Sequence, residues 1–177
     1  MSRFFKRPYN IISPKSAHAE AEFGEGKKGL LMCQNCGVVY YKKHWHHGLE
    51  SLNKKEETAF SKDTPVKFTI CPACTMIKNN QFEGRVAIKS VPEVVGSELQ
   101  GLIENFGKRA YGRDPMDRLI GIKKKGDFWE VTLTENQLAN KLAKKIKEVF
   151  KTVKQAEEFS PEPSDVVYIT IEFVKEL

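Results

Sequence analysis

Long apolar runs are absent from this chain of 177 residues. No stretch approaches the roughly 18 uninterrupted apolar positions that a membrane-spanning helix needs, so no helical anchor is expected. The first 28 residues carry basic side chains but no apolar segment leading to a small-residue cleavage site, and no export signal is read there. Cysteine is scarce, four in all. Without an export signal the expected compartment is the reducing cytoplasm, where cysteines serve as metal ligands more readily than as disulfides. Enzyme signatures are missing too: no nucleophile–base pattern, no glycine-rich phosphate loop, no paired carboxylates in an expected cleft. Asp114 and Asp117 flank a turn and read as caps. There is no internal repeat and no low-complexity run. Neither catalysis nor a small-molecule substrate is therefore expected.

What is present is a net charge of +6, unevenly spread. Residues 81–177 carry 16 basic and 16 acidic side chains, residues 1–28 carry six against three, and residues 29–80 carry seven against four. The excess positive charge lies wholly in the first 80 residues, so a polyanionic partner is expected to meet that part first. Residues 1–28 are punctuated by Pro8, Pro14, Gly24 and Gly26 and read as a flexible basic arm. There Arg3, Lys6 and Arg7 alternate with Phe4, Phe5 and Tyr9. The arm reads either as a solvated terminus or as a segment that orders on a nucleic-acid or protein surface.

The strongest signal is a pair of hooks, Cys33-Gln34-Asn35-Cys36-Gly37 and Cys71-Pro72-Ala73-Cys74. A two-residue gap lets both sulfurs of a hook face one ion, and two hooks complete a closed tetrahedral set. Gly37 permits the positive φ that turns backbone N–H groups toward sulfur, and Pro72 stiffens the second hook. Zinc is the expected ion and its role structural, because a complete ligand set leaves no position for water. Iron remains an alternative with the same ligands. A thioredoxin-like redox pair needs a hook that opens a helix in a βαβ setting, and neither hook is expected to do so.

Between the hooks, Val38–Tyr41 and the alternation Val66, Phe68, Ile70 predict strands, with a short helix near Glu50–Ala59. Tyr40, Tyr41, Lys42, Lys43, His44, Trp45, His46 and His47 follow one another. Cationic side chains interleaved with flat rings suit a phosphate backbone and unstacked bases, so Tyr41 to His47, with Arg3, Lys6 and Arg7, are the candidate nucleic-acid contacts. Other readings stand beside this one: an ordinary exposed surface, a histidine replacing one cysteine ligand, or Trp45 wedged against the hooks as core.

Residues 81–177 predict a separate α+β unit. Strands are expected at Arg85–Lys89, Arg118–Lys123, Phe128–Leu133 and Val166–Phe173, with an extra one near Thr152–Phe159. One helix opens at Pro92 with Val95, Leu99, Leu102, Phe106 and Ala110 on its apolar face, and Gly112 and Pro115 end it. Thr134 with Gln137 reads as the capping box of a second helix, whose apolar face is Leu138, Ala139, Leu142, Ala143, Ile146, Val149 and Phe150. Lys125-Gly126-Asp127 reads as a hairpin turn. The order β-α-β-β-α-β is that of a ferredoxin-like unit with both helices on one face of an antiparallel sheet. Lys141, Lys144, Lys145, Lys147 and Lys151 on the second helix, and Lys123–Lys125, read as solvated or as a second contact surface.

From about Leu30 onward the chain resembles two related groups. One is a family of short bacterial proteins with two C-x-x-C hooks followed by a segment like Asp114-Pro115-Met116-Asp117-Arg118-Leu119-Ile120. The other is the zinc-bearing N-terminal part of the archaeal and eukaryotic large-ribosomal-subunit export adaptor, the nonsense-mediated-decay three family. That resemblance is carried by the hooks and by Asp127-Phe128-Trp129-Glu130-Val131-Thr132-Leu133-Thr134 leading into Ala139–Phe150. It implies zinc and association with the large ribosomal subunit. The adaptor family has more hooks and further β-barrel domains, so nuclear export does not carry over.

The resulting expectation is an α+β chain: arm 1–28, a four-cysteine zinc-ribbon-like module 29–80, and a ferredoxin-like domain 81–177. Its expected partner is ribosomal RNA or a ribosomal subunit. The alternative is a protein-binding adaptor in which zinc only folds the hub.

Overall fold

The computed structural model describes residues 29–51, 64–159 and 166–174. The arm, with Arg3, Lys6 and Arg7, lies outside these residues, as does most of the helix expected at Glu50–Ala59, of which only a 3-10 turn at Leu49–Ser51 is described. Two sheets form two cores. In the first, β1 (Leu30–Cys33), β2 (Val39–Tyr41), β3 (His44–His46) and β4 (Val66–Thr69) stand in the order β3-β2-β1-β4, with β4 parallel to β1. Then α1 (Pro72–Asn79) begins inside the second hook.

That helix corrects the expectation that neither hook opens one, and it departs from a ribbon, whose second hook would bend between strands. The local reason is in the sequence. Pro72 at the first helical position has the φ a helix needs and lacks only an N–H that would be unpaired there, while the Cys71 side chain caps the turn by accepting from the Cys74 N–H.

The second sheet contains β5 (Gly84–Lys89), β6 (Leu119–Lys125), β7 (Phe128–Leu133), β8 (Val153–Phe159) and β9 (Val167–Phe173), in the order β6-β7-β5-β9-β8. Alternation places Val86 and Ile88, Trp129, Val131 and Leu133, and Val167, Ile169, Ile171 and Phe173 on one face, all buried. On that face lie α2 (Gly96–Arg113), through Leu99, Ile103, Phe106 and Ala110, and α3 (Asn136–Val149), through Leu138, Ala139, Leu142, Ala143 and Ile146. Val149, expected on this face, is exposed.

The β-α-β-β-α-β order is observed along the chain, but the sheet is not the antiparallel one expected. After α3 the chain makes β8 and then reverses in a hairpin, so β9 arrives beside β5 running parallel to it. One extra reversal inverts the direction of the last strand. The composition of the two strands agrees with their places: apolar VYITIEF is central, and charged VKQAEEF takes the edge, where polar residues discourage further pairing.

Two details of this unit escaped the sequence. The cap of α3 is Glu135, whose carboxylate accepts from the Leu138 N–H at 2.8 Å, and the expected Thr134–Gln137 capping box is not used. Thr134 instead is buried and bonded to residues 116–118. Gly84 marks a close approach of β5 to the start of α3: a Cβ there would lie 2.7 Å from Ala139 Cβ and 2.8 Å from the Glu135 carbonyl oxygen.

Candidate metal centre

The four cysteine sulfurs lie within 4.8 Å of one another, although residues 33 and 71 are far apart in sequence. β1 delivers Cys33, the turn after it delivers Cys36, and the first turn of α1 delivers Cys71 and Cys74. Pairing of β1 with β4 in parallel register, Met32 beside Phe68 and Cys33 beside Thr69, brings the ends of the two hooks together. The Cys36 and Cys71 sulfurs are 3.7 Å apart. A regular tetrahedron with metal–sulfur bonds near 2.3 Å has sulfurs about 3.8 Å apart, so the Cys36–Cys71 spacing matches and the four sulfurs are close enough to share a single ion. All four thiols are free, and Cys36 alone among them is partly exposed.

The surroundings suit an anionic cluster. The Cys71 N–H donates to Cys33 Sγ at 3.3 Å and the Cys74 N–H to Cys71 Sγ at 3.4 Å. Gly37 takes φ +73, as expected, although its own N–H donates to the Cys33 carbonyl. The positive end of α1 faces the sulfurs. Burial works to raise the Cys33 thiol, but N–H groups of Cys71, Asn35 and Cys36 outweigh it and bring the thiol down to about 6. Burial pushes Cys71 well up and Cys74 up to about 11. Cys33 is thus ready as thiolate, and Cys71 and Cys74 surrender protons when a metal arrives. None of His44, His46 or His47 joins the cluster.

A fifth group comes from the other unit. The Arg118 guanidinium donates to Cys36 Sγ at 3.3 Å and, through Nε, to the Pro115 carbonyl at 2.7 Å. It sits 4.4 Å over the Tyr111 ring. Burial tends to lower its pKa, but the Cys36 sulfur raises it, and it stays a cation. Met116 packs on the cysteines, and His47 meets Tyr111 edge-on at 4.7 Å. Asp114 accepts from the Met116 N–H at 2.8 Å, the turn-capping role expected of it. The buried Thr134 hydroxyl donates to the Met116 carbonyl at 2.7 Å and accepts from the Arg118 N–H at 2.8 Å. Arg118, Tyr111, Met116 and Thr134 carried no periodic signal, since each acts through a contact distant in sequence.

The nucleic-acid candidates divide in two. Trp45 is half-buried: it packs on the cluster that contains Cys33, Val38, Cys71, Ala73 and Cys74, and against Tyr40 with ring centres 5.1 Å apart. His46 Nε2–H donates to the Tyr41 carbonyl at 3.3 Å. At the tip, Tyr41 pairs with His44 across a two-residue loop, and Lys42 and Lys43 both take positive φ, +47 and +68. Lys42, Lys43 and His44 are exposed, with the Lys42 ammonium 5.3 Å from the Tyr41 ring centre. On α3, Lys141, Lys144 and Lys147 are exposed, and Lys145 pairs with Glu148 at 3.2 Å. Lys124 is engaged by the Trp129 ring at 3.9 Å and Gln100 Oε1 at 2.6 Å.

Among the described residues, no helix is long and apolar enough to cross a membrane. Compared with known proteins, the chain matches no family model and no curated protein at a significant level.

Proposed function

We propose that the chain is a structural-zinc protein of the cytoplasm that binds RNA, ribosomal RNA foremost, through the hairpin that the metal centre holds in place. The observation carrying this reading is the tip Lys42-Lys43. A tight hairpin turn of this hand prefers asparagine and glycine, and a left-handed conformation costs an ordinary residue roughly 1–2 kcal/mol. Two adjacent lysines there, followed by exposed His44, trade turn stability for positive charge at a projecting point. Trp45 ties that point to the cysteines. The resemblance of the hooks to those of the ribosome export adaptor supports the same reading, and so does the charge excess of the first 80 residues. The ion is zinc because four thiolates close its coordination and favour a soft metal. We read the second unit as a ferredoxin-like frame with one inserted strand.

The test is co-sedimentation of the full chain with ribosomal subunits at low and high salt. Replacing Lys42 by Asn and Lys43 by Gly is expected to raise thermal stability, by about 1 kcal/mol or more, while weakening binding. Binding that survives both the double change and high salt would refute the reading.

A protein-binding adaptor is favoured by a different observation. Val66 and Phe68 on the edge strand β4 are exposed, Phe68 to 63%, and Ile70 and Ile77 are exposed nearby in sequence. Association with partners that persists after nuclease digestion, and is lost on Phe68→Ser, would support this reading over the first.

A further inference from the structure

We infer that Cys36 is a site of oxidation by peroxides, with Cys71 as its resolving partner, so that the centre releases its metal when oxidised. The inference rests on the metal reading above. Three observations carry it. Cys36 is the partly exposed ligand, while Cys33, Cys71 and Cys74 are buried, so a small oxidant reaches this sulfur first. Cys71 Sγ stands 3.7 Å away on the other hook, which places a second sulfur within short reach of the oxidised one. Arg118 donates to the same Cys36 sulfur, so the group attacked is also the one gripped from the second unit.

The Cys36 thiolate attacks a peroxide oxygen; an S–O bond forms, the O–O bond breaks, and hydroxide leaves, giving a sulfenic acid with sulfur oxidised by two electrons and the peroxide reduced. The Cys71 sulfur then attacks Cys36 Sγ; an S–S bond forms, the S–O bond breaks, and a second hydroxide leaves. Solvent protons convert both hydroxides to water. Two of four ligands are then gone, and Cys33 and Cys74 alone do not retain the ion. Arg118 loses a thiolate acceptor at the same time, which leaves the packing of Met116 to hold the corner of residues 114–118 on the module.

Arg118 tempers the first step, because its N–H bond to the Cys36 sulfur withdraws electron density from the attacking atom. Arg118→Ala is therefore expected to oxidise several-fold faster than the unaltered chain.

The experiment titrates the purified full chain, its metal content measured beforehand, with hydrogen peroxide. Metal release is followed by a chromophoric chelator and disulfide connectivity by peptide mass spectrometry. The expected result is one ion released per disulfide, with the first disulfide joining Cys36 to Cys71 and faster release in Arg118→Ala. A first disulfide that omits Cys36 or joins it to Cys33 or Cys74 would overturn the inference, as would thiol oxidation that leaves the metal bound. A preparation without stoichiometric metal would instead refute the metal reading, so the two failures are distinct. The unaltered chain alone decides the connectivity, whatever the stability of the variant.

Discussion

The two units of this chain solve the problem of stability in different ways. Among the described residues, the second unit gathers 21 buried apolar side chains into one core between a sheet and two helices. The module of the first sheet gathers five around its centre, and three of those are cysteines. A core of the first kind stabilises through apolar area removed from water, at roughly 25 cal/mol per Å². The second kind has little such area, and its four clustered thiols are placed to hold a metal ion. The corner Asp114–Arg118 joins them: Thr134 fixes it from one side, and the Arg118–Cys36 bond fixes it from the other. A difference in what holds each unit therefore becomes a difference in what can remove it.

The largest effect expected is on removing the metal. Structural zinc supplies on the order of 10 kcal/mol of folding free energy in small modules, so chelation should abolish amide protection in β1–β4 and α1 while β5–β9 keep theirs. Hydrogen exchange with and without chelator measures this, and equal protection in both states would erase the contrast between the units. The pH dependence follows from the thiols. Cys71 and Cys74 are raised and hold protons at neutrality, so binding expels them, and affinity should rise with pH through neutrality and on toward the Cys74 value of about 11.

A smaller effect is expected from Gly84→Ala, which forces a methyl against the Glu135 carbonyl and Ala139. Overpacking of this kind costs about 1–3 kcal/mol, read as a lowered denaturation midpoint of the second unit with metal affinity unchanged. Thr134→Val is expected to cost about 1–3 kcal/mol, because it strips partners from the Met116 carbonyl and the Arg118 N–H. Its informative readout is the metal: if the corner joins the units, the off-rate of the ion should rise as well. A stability loss with an unchanged off-rate would show that the units do not communicate.

The smallest effect concerns Asp117. Burial raises its pKa, and the charges of Asp114 and Glu135 raise it further. A carboxyl raised above its unfolded value favours the folded state below that unfolded value. The advantage is lost as pH rises through the folded one, so at neutrality the charged group is a cost. Asp117→Asn should stabilise by no more than about 0.5 kcal/mol at neutral pH after solvent screening, with the gain vanishing in acid. Thermal denaturation at the two pH values checks the sign.

Much of the second unit was legible because its elements are periodic. Leu99, Phe106 and Ala110, or Val167, Ile169 and Ile171, announce a face through spacing alone, and burial agrees. The grouping of Cys33, Cys36, Cys71 and Cys74 was legible for a similar reason, since the hook spacing is itself local geometry. The parallel β5–β9 pair was not, because both the hairpin and the direct connection satisfy the same alternation, and only the number of reversals separates them. The helix at Cys71 was missed although Pro72 marks such starts, since eight residues offer barely two turns of periodicity.

By itself, then, the amino-acid order determined which residues face inward and which sulfurs can share an ion, because both depend on neighbours a few positions apart. Tertiary structure alone decided that Arg118 reaches Cys36, that Thr134 braces the corner between the cores, and that Trp45 packs half-buried on the cluster around the cysteines. Those contacts join residues up to 82 positions apart. Their free energy arises only once the chain has closed around them, and no local pattern encodes it.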